Sequence, residues 1–375
     1  SPQLENEPLP PLTYEPFEGQ LDLFPIINQR DHLLHFPYHS YDYFIRFLNR
    51  AAIDPTVSKI MTTQYRVASE SAIVGALIRA AGNGKDVTVF VEIKARFDEE
   101  RNLQSAKAME DAGVRIIYSL PGLKVHAKVA LVLRQETDGE RGYAFLSTGN
   151  FNEKTARIYA DHGLFTADQT IIGDLKQMFG FLKDTSNKNF SFDTLLVAQF
   201  NLRDRFLEMI DREIAHSKAG KKGRMVVKLN GLEDRPMINK LYDASQAGVE
   251  IDLIVRGICC LRPGVPGLSE NIRVIRIIDR FLEHARVFYF HNDGEEDLYL
   301  ASADWMTRNL ERRVETGFPI KEPSLKKQII DILNLQLTDN VKAVELSPDI
   351  ENVPAESEGP PVRAQIATYE YVRAL

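Results

Sequence analysis

The sequence predicts an α/β fold of two tandem homologous domains, each a mixed, mostly parallel sheet flanked by helices. A histidine recurs at matching places, because Val114-Arg-Ile-Ile precedes His126 by the same spacing that separates Ile272-Arg-Val-Ile from His284, an offset of 158 residues. In each half, short apolar runs alternate with stretches of helical periodicity, as in βαβ units. Offsets between other matching segments differ slightly, which is how loop lengths vary in a duplicated domain.

Three segments are expected along the chain. Residues 1–20 contain five prolines, whose fixed φ and missing N–H disfavour a helix or a central strand, so an extended lead-in is predicted. The polar run at residues 184–189 interrupts the alternation of apolar segments. We therefore place the first domain at residues 21–187 and the second at residues 188–375.

The first half is expected to open with an amphipathic helix. Ser40 is its candidate N-cap, and Tyr43, Phe44, Phe47 and Leu48 lie on one apolar stripe, which is more typical of core packing than of base stacking. A Gly-Asn-Gly stop at residues 82–84 precedes a nearly continuous apolar strand, as in buried parallel sheets. The further predicted elements are strands at 57–62, 87–93 and 114–118, helices at 69–81 and 99–112, and a hairpin of 124–133 with 141–146.

The second half repeats this order. A last helix, ending at Leu375, is expected after a linking tail at residues 347–361. The predicted helix is 235–247. The predicted strands are 225–229, 250–255, 271–275, 285–290 and 297–301.

Composition limits the classes of function. The chain has 375 residues, 44% of them hydrophobic. Its net charge of -7 argues against a protein that covers nucleic acid with a generally cationic surface, so no specific nucleic-acid partner is expected. The sequence contains no run of about 18 apolar residues, so no membrane span is predicted. Its two cysteines, Cys259 and Cys260, are adjacent and cannot staple distant segments, so a reducing cytoplasm is favoured, with peripheral attachment to the inner membrane left open. The start lacks Met and a signal pattern, which suggests a fragment of a longer protein.

The first candidate half-site surrounds His126. If residues 124–133 form one strand, Lys124, His126 and Lys128 share a face. Neighbouring cations disfavour imidazolium, so His126 is expected to be neutral and nucleophilic, and the same cations attract phosphate. Asn152 is a candidate N-cap for a helix from Glu153, whose amides are suited to hold an anion.

The second half-site surrounds His284. There Arg286 replaces Lys128, and a guanidinium suits bidentate phosphate binding. A lone histidine in a strand is more often a structural hydrogen-bonding group, but its recurrence beside a cation in both repeats favours catalysis. The histidines without this double context are expected to be ordinary core or surface residues: His32, His35, His39, His162, His216 and His291.

Several motifs carry a resemblance to known families. A paired His-x-Lys followed by Ser-x-Gly-Asn resembles the phospholipase D superfamily, whose two half-sites meet at a dyad with a histidine nucleophile. A closer resemblance, to the two C-terminal domains of the bacterial polyphosphate kinase family, covers about residues 12–375. It rests on Tyr65-Arg66-Val-Ala, Glu92-Ile-Lys-Ala-Arg96, Gly122-Leu-Lys-Val-His126-Ala-Lys128, Thr148-Gly-Asn150-Phe-Asn-Glu-Lys-Thr-Ala-Arg-Ile-Tyr159, Val255-Arg256-Gly-Ile-Cys and Ser302-Ala-Asp-Trp-Met-Thr-Arg-Asn.

The resemblance implies roles for individual residues. It places the phosphohistidine at His126, and ATP contacts at His284, Tyr159 and Arg256. Arg66 and Arg96 match positions of the family's magnesium-phosphate site. A guanidinium has no lone pair suited to a hard cation, so we interpret both arginines as phosphate clamps beside Mg²⁺. Phosphate binding is further expected of Lys128, Arg286 and Asn150.

The implied function is reversible transfer of the ATP γ-phosphoryl group to polyphosphate, with Mg²⁺ as cofactor. The implied partners are ATP or ADP, inorganic polyphosphate, the family's N-terminal and head domains, and further copies of the full-length protein. His284 is left with three open roles: protonating a leaving oxygen, assisting the second transfer or holding a phosphate. Candidate walls of a polyphosphate channel are Lys94, Arg101, Lys124, Arg280, Arg308, Arg312 and Arg313.

Two alternatives are kept. The same histidine pair serves phospholipase D-like phosphodiesterases and nucleases, although Asn150 stands where many of these carry Asp. A catalytically inactive module that binds polyphosphate is the other alternative, and the intact half-site residues argue against it.

Overall fold

The computed structural model describes residues 6–65, 71–92, 99–119, 122–355 and 359–375. Within these ranges each half alternates strands and helices as expected, and apart from the predicted strand 124–133 the predicted elements recur with ends shifted by at most three residues. The elements of the first half are α1 (Phe24–Gln29), β1 (His32–Phe36), α2 (Asp42–Ile53), β2 (Val57–Gln64), α3 (Ala72–Gly82), β3 (Asp86–Val91), α4 (Glu99–Asp111), β4 (Arg115–Tyr118), β5 (Lys124–Val125), β6 (Val129–Glu136), β7 (Gly139–Ser147), β8 (Tyr159–Thr166) and α5 (Gln169–Lys183).

The second half continues with a similar alternation. Its last helix ends at Arg373, two residues before the predicted end. The elements are β9 (Leu196–Val197), α6 (Leu202–Lys218), β10 (Arg224–Leu229), α7 (Arg235–Gln246), β11 (Glu250–Val255), β12 (Ile272–Ile277), β13 (Leu282–Glu283), β14 (Arg286–Phe290), β15 (Asp297–Ala301), α8 (Thr307–Arg312), β16 (Arg313–Val314), β17 (Thr316–Pro319), α9 (Pro323–Leu337), β18 (Ala343–Leu346), β19 (Asn352–Pro354) and α10 (Ala364–Arg373).

Each half forms a mixed sheet. The first has the order β1-β8-β7-β6-β2-β3-β4, and the second the order β19-β18-β12-β11-β10-β14-β15-β17-β9. The mixed α/β class is confirmed, but the expectation of mostly parallel sheets is wrong. Among the described strands that belong to a single half, β2-β3-β4 and β10-β11-β12 run parallel. The other pairs within each half are antiparallel, because the chain returns through hairpins such as β6-β7 and β14-β15.

Helix α2 confirms the expected apolar stripe. Tyr43, Phe44, Phe47 and Leu48 are buried in α2, and Phe44 stacks on Phe145 with ring centroids 4.4 Å apart. The cap differs from the prediction, because Ser40 Oγ accepts only from the amide of Asp42, at 3.2 Å. The aromatic stripe therefore packs in the core.

The lead-in is more structured than expected. Residues Glu15–Phe17 form one turn of 3₁₀ helix, and Phe17 is fully buried among the aromatic side chains of the first half. Leu12 exchanges backbone hydrogen bonds with the loop after β1, since its amide donates to Tyr38 O and its carbonyl accepts from Ser40 N. Prolines excluded a long helix here, but aromatic burial still anchors the segment.

The two halves share one apolar core. Along β6, Leu131 belongs to this shared core and Val132 to the first half's own core, because successive strand residues face opposite sides. Along β14, Val287 faces the shared core and Phe288 the second half's own core. Burial of this common face holds the two sheets together.

Short strands also cross between the halves. β5 of the first half pairs in parallel with β16 of the second, and β13 of the second pairs in parallel with β8 of the first. The two crossings have the same geometry. β5 ends directly before His126 and β13 ends directly before His284, the two histidines that the repeat identified.

Candidate active site

The backbone at each histidine turns towards the other half. The amides of His126 and Ala127 both donate to Val314 O at 2.9 Å, and the amides of His284 and Ala285 both donate to Ala160 O, at 3.1 and 2.9 Å. The predicted continuous strand 124–133 is therefore wrong, because residues 126–128 leave the ladder between β5 and β6. The amides of His126 and Ala127 donate to the second half instead of to a neighbouring strand of the first.

A carboxylate from the second half orients His126. His126 Nδ1 lies 2.9 Å from Glu315 Oε2, which also accepts from Ser302 Oγ at 2.5 Å. Asn309 Nδ2 donates to Glu315 Oε1 at 2.9 Å. Burial raises the pKa of Glu315, and the charges of Lys128 and Arg313 and the hydrogen bond from Ser302 oppose that shift. Because Glu315 accepts from both Ser302 and Asn309, we assign the proton between the two residues to His126 Nδ1. Within the described ranges Nε2 has no hydrogen-bond partner, so its lone pair remains available.

A carboxylate from the first half orients His284 in the same way. His284 Nδ1 lies 2.8 Å from Asp161 Oδ2, and Thr148 Oγ1 donates to Asp161 Oδ1 at 2.6 Å. Arg286 Nη1 lies 3.2 Å from His284 Nε2. Gly149 makes the approach possible, because a Cβ there would lie 2.4 Å from Asp161 Oδ2. Unlike His126, His284 has both ring nitrogens engaged.

The cations of the two half-sites are held differently. Arg286 makes a two-pronged ion pair with Asp304, with Nη2 to Oδ2 at 3.0 Å and Nε to Oδ1 at 3.3 Å. Lys128 is equally buried, but its ammonium contacts the carbonyl of His126 and lies 5.3 Å from the centroid of the Tyr65 ring. Among the described residues no carboxylate pairs directly with Lys128. Burial holds the pKa of Lys128 well below its usual range, although Glu315 opposes that shift, so a bound phosphate oxygen would stabilise the protonated ammonium.

Electrostatics join the half-sites into one cluster. Burial, followed by the charges of Lys128, Arg313, Arg286 and His284, holds the pKa of His126 well below its usual range. Burial also lowers the pKa of His284, but Asp161 opposes that shift. The prediction that His126 is neutral near pH 7 is supported, with burial a larger cause than the cations that the sequence suggested.

The loop after β7 differs from the expected helix start. Asn152 Oδ1 accepts from the amides of Lys154 and Thr155, each at 3.0 Å, so it caps as predicted. However, only a 3₁₀ turn, Thr155–Arg157, follows it. The expected anion site at a helix N-terminus is therefore wrong, because Asn152 already occupies the amides. Asn150, in contrast, is buried, and its side-chain oxygen has no hydrogen-bond partner among the described residues.

Tyr159 and Arg256 line one cavity beside His284. Its volume is about 610 Å³, and its rim includes Ile158 and Ile278, which are 54% and 72% exposed. The ring centroids of Tyr159 and His284 are 5.1 Å apart. Arg256 Nε donates to Asn230 Oδ1 and to the carbonyl of Glu283, which fixes the guanidinium. The structure thus brings together the two side chains that the resemblance assigned to ATP.

Other sequence-based candidates divide into two groups. Arg66, Arg96 and Lys94 lie outside the described residues, as does the side chain of Arg101. Arg280 lines the cavity beside Tyr159, and its guanidinium donates to Glu7 O. The remaining channel candidates, Lys124, Arg308, Arg312 and Arg313, lie in or next to the β5-β16 crossing.

Sequence reasoning missed the two acids that orient the histidines. Asp161 follows Asn150 by 11 residues, and Glu315 follows Asp304 by the same 11. Aligning the repeats one strand further would have shown an acid at a matching place in both halves. What the sequence does not show is that each acid serves the histidine of the opposite half.

Within the described ranges, every helix is too short or too polar to cross a membrane. The part of the chain described holds no group of three or more His, Cys, Asp or Glu arranged to bind a metal ion.

Comparisons with known proteins agree with this architecture. Residues 22–188 match the model of polyphosphate kinase C-terminal domain 1, and residues 195–365 match that of polyphosphate kinase C-terminal domain 2. A polyphosphate kinase of Vibrio parahaemolyticus is 46% identical over 99% of this chain and 53% of its own length. One of Halalkalibacterium halodurans is 51% identical over 91% of this chain and 48% of its own length. The chain thus spans about half the length of these curated relatives.

Solved structures give the same result. The crystal structure of polyphosphate kinase from Porphyromonas gingivalis matches with a TM-score of 0.93 and 49% identity, over 100% of this chain and 57% of that one. A phosphatidylserine synthase of Haemophilus influenzae matches with a TM-score of 0.57 and 12% identity, over 92% of this chain and 93% of that one, which shows a shared fold alone. With both C-terminal domain models matched in order, this chain belongs to the polyphosphate kinase family.

Proposed function

We propose that this chain carries the centre for reversible transfer of the ATP γ-phosphoryl group to polyphosphate, with His126 as the nucleophile. The observation that carries the proposal is the state of the His126 ring. Glu315 fixes its Nδ1 at 2.9 Å, while Nε2 is unpartnered among the described residues, and burial together with the surrounding cations lowers the pKa of the ring so that it stays neutral. A neutral, oriented imidazole beside cations is what attack on a phosphate requires.

The first step forms a phosphohistidine. The lone pair of His126 Nε2 attacks the γ-phosphorus in line, the bond to the bridging β-γ oxygen breaks, and ADP leaves with that electron pair. The ring then carries a positive charge, which Glu315 stabilises through Nδ1–H. In the second step a terminal oxygen of polyphosphate attacks the phosphorus and the N–P bond breaks. One phosphoanhydride replaces another, so the sequence of steps runs in both directions.

Phosphate charge is offset by the cations around the ring. The buried ammonium group of Lys128 is suited to bind a phosphoryl oxygen, and the side-chain amide nitrogen of Asn150 is proposed to donate to another. Arg286 is already fixed by Asp304. Tyr159 and Arg256 are proposed to hold the nucleotide in the adjoining cavity. Arg66 and Arg96 are proposed as further phosphate clamps on the basis of the family motif.

His284 is proposed to act on the same phosphoryl group. Since Asp161 binds its Nδ1 and opposes the fall of its pKa, a proton gained by His284 is held at Nε2. Protonated there, the ring donates a hydrogen bond to a phosphoryl or leaving oxygen. This favours the holding and protonating roles of His284 over attack, because Nε2 of the resting ring already accepts from Arg286.

The described residues do not fit a protein-built Mg²⁺ site. Glu315, Asp161 and Asp304 are each engaged by a histidine or an arginine, and Mg²⁺ prefers free carboxylate oxygens. We propose that Mg²⁺ enters bound to the nucleotide phosphates.

The remaining assignments are part of the proposal. ATP or ADP and polyphosphate are the substrates, and domains corresponding to the other half of the relatives' length complete the enzyme, which we expect to be a homo-oligomer. Domain boundaries at residues 20 and 187 fit the sheet division. A reducing cytoplasm fits two free cysteines, one buried and one exposed, and peripheral contact with the inner membrane is kept as part of the same expectation.

The proposal is tested by offering ATP with polyphosphate, and in parallel a phosphodiester, to the protein at the full length that its gene encodes. We expect transfer of γ-label into polyphosphate, no diester hydrolysis, and loss of transfer in His126→Ala. Diester hydrolysis without transfer would support the phospholipase D-like alternative. Polyphosphate binding without either reaction would support the inactive module.

A further inference from the structure

One wall of the cavity beside His284 is held from behind by the C-terminal helix. The wall is the segment 277–283, which lines the cavity and leads directly into His284. Within it β13 has two residues and pairs with β8 along one edge, where Leu282 N donates to Ile158 O at 2.9 Å. A strand of two residues needs further contacts to keep one position.

Gln365 of α10 takes the place of a neighbouring strand at the other edge. Its Nε2 donates to the carbonyl of Phe281 at 2.8 Å, and its Oε1 accepts from the amide of Phe281 at 2.9 Å. The same Nε2 donates to Glu283 Oε1 at 2.8 Å. Gln365 is 1% exposed. A buried amide is costly unless it is hydrogen-bonded, so this side chain and the cavity wall hold each other in position.

Glu283 connects this contact with His284 and Arg256. Its buried carboxylate also accepts from Lys228 Nζ at 2.8 Å and from Gln336 Nε2 at 3.1 Å, so three side chains fix it. The carbonyl of Glu283 accepts from Arg256 Nε at 2.9 Å, and the next residue in the chain is His284. A shift of the wall would therefore move the proposed nucleotide contact and the second histidine together.

The first turn of α10 is itself anchored. The amide of Ala364 donates to Asp339 Oδ2 at 2.6 Å. Arg363, the residue before the helix, donates from Nη2 and Nε to the two carboxylate oxygens of Asp279, at 2.5 and 2.8 Å. Asp279 belongs to the cavity wall. The start of the helix thus holds the wall at Asp279 as well as at β13.

The first half uses apolar packing at the matching place. Glu283 precedes His284 as Val125 precedes His126, and Val125 lies in the shared apolar core. Burying a charged pair costs more than apolar packing, and its replacement by apolar groups is often neutral or stabilising. Stability alone therefore does not explain why the second crossing carries Glu283 and Lys228, which leaves a role in positioning.

We propose that Gln365 is a positioning residue for the ATP side of the reaction, because it holds the wall in the arrangement that receives the nucleotide. This inference rests on the proposed function. Gln365 lies behind the wall and acts through the main chain of Phe281 and through Glu283. Its effect is specific to the nucleotide, since the strand before His126 rests on Val125 and pairs with β16 instead.

The test replaces Gln365 and a matched buried glutamine in the full-length protein. Gln365→Met keeps the length of the side chain and removes its hydrogen bonds to Phe281 and Glu283. The control Gln336→Met removes one donor to the same carboxylate and leaves the main chain of Phe281 untouched. Steady-state transfer gives the KM for ATP, for ADP in the reverse direction and for long-chain polyphosphate. Urea unfolding gives the stability of each variant.

We expect Gln365→Met to raise the KM for ATP and for ADP about tenfold and to lower kcat about threefold, because the cavity wall and His284 lose their fixed position. The KM for long-chain polyphosphate should stay within about twofold of wild type. Gln336→Met should lose a similar amount of stability but keep every KM within about twofold of wild type. A purely structural role of Gln365 would separate neither the two substrates nor the two variants.

An unchanged KM for ATP in Gln365→Met would overturn the inference. An equal rise for ATP and polyphosphate, or an equal rise in Gln336→Met, would do the same. If Gln365→Met does not fold, Arg363→Gln loosens the wall at Asp279 instead: a selective rise in the KM for ATP supports the inference, and an unchanged ratio of the two KM values contradicts it. A wild type that transfers no label from ATP would refute the proposed function itself, which is a different result.

Discussion

His126 and His284 occupy matching places in the two halves, yet the groups around them differ. Each ring is held through Nδ1 by a carboxylate of the opposite half, and a hydroxyl supports each carboxylate. Nε2 of His284 is engaged by Arg286, whereas Nε2 of His126 is unpartnered among the described residues. The shared parts orient the rings, and the parts that differ divide their tasks.

The cations show the same division. Arg286 is neutralised by Asp304, while the matching Lys128 has Asn150 in place of an acid. Duplication thus supplied two copies of one scaffold, and Asn in place of Asp leaves Lys128 without a paired carboxylate among the described residues. We therefore propose that the first half-site binds and attacks a phosphoryl group and that the second supports it.

The largest expected effect comes from replacing each histidine in turn. We expect His126→Ala to lower turnover with ATP and polyphosphate by about 10⁴-fold or more, because it removes the nucleophile. His284→Ala should cost about 10²- to 10³-fold, the usual range of an acid or base. Steady-state rates of both variants measure the difference. Equal losses, or a larger loss in His284→Ala, would contradict the division of tasks.

The next effect concerns stability. Asp304→Asn leaves Arg286 buried without its counter-ion, so we expect the free energy of unfolding to fall by about 3 kcal/mol. Urea unfolding followed by circular dichroism measures this. The control Asp349→Asn removes an acid that pairs with Arg262 at the surface and should change the free energy by less than about 0.5 kcal/mol. A loss below about 1 kcal/mol in Asp304→Asn would show that Arg286 is satisfied in another way.

A third effect tests the acid that orients His284. A methyl group at residue 149 would meet Asp161 Oδ2 at 2.4 Å, so we expect Gly149→Ala to displace the carboxylate and lower turnover by about 10- to 100-fold. The matching residue of the second half is already Ala303, and Ala303→Gly should have little effect. Combined with Asp161→Ala, Gly149→Ala should add no further loss. Additive losses would mean that the glycine acts elsewhere.

The smallest expected effect is a dependence of stability on pH that is larger in the first half than in the second. Burial lowers the pKa of His35 to about 4 and that of His39 to about 3, from a usual 6.5. The folded state therefore disfavours their protonation, and stability is complete above about pH 6.5 and falls as the pH is lowered towards these values. For His35 the loss is about 2 kcal/mol at pH 5.

These histidines belong to the first half, so hydrogen exchange at pH 5 should increase there before it does in the second half. His35→Gln should flatten the pH dependence of urea unfolding, and His291→Gln, at a partly exposed residue, should not. A uniform rise in exchange across both halves would contradict the assignment.

Much of this arrangement follows from local sequence patterns. Strand and helix order was readable from periodicity, and the repeat around His126 and His284 located both half-sites. The break at residues 126–128 was not readable, because it depends on Val314 O accepting two amides from another domain. The pairing of Asp161 with His284 and of Glu315 with His126 was hidden for the same reason.

Other differences also arise from long-range packing. Antiparallel returns dominate both sheets because hairpins such as β6-β7 close each half, which alternation alone does not specify. Asn152 was correctly assigned as a cap, but the length of the turn after it depends on the chain returning to form β8. Arg66 and Arg96 remain predictions from the motif.

The most direct test identifies the phosphorylated nitrogen. Brief exposure to ATP without acceptor should trap the intermediate, and mass spectrometry with ³¹P NMR can assign residue and ring position. Because Glu315 holds Nδ1 of His126, we predict phosphate on Nε2 of His126, in wild type and in His284→Ala alike. Phosphate on His284, or on Nδ1 of His126, would contradict the proposed centre.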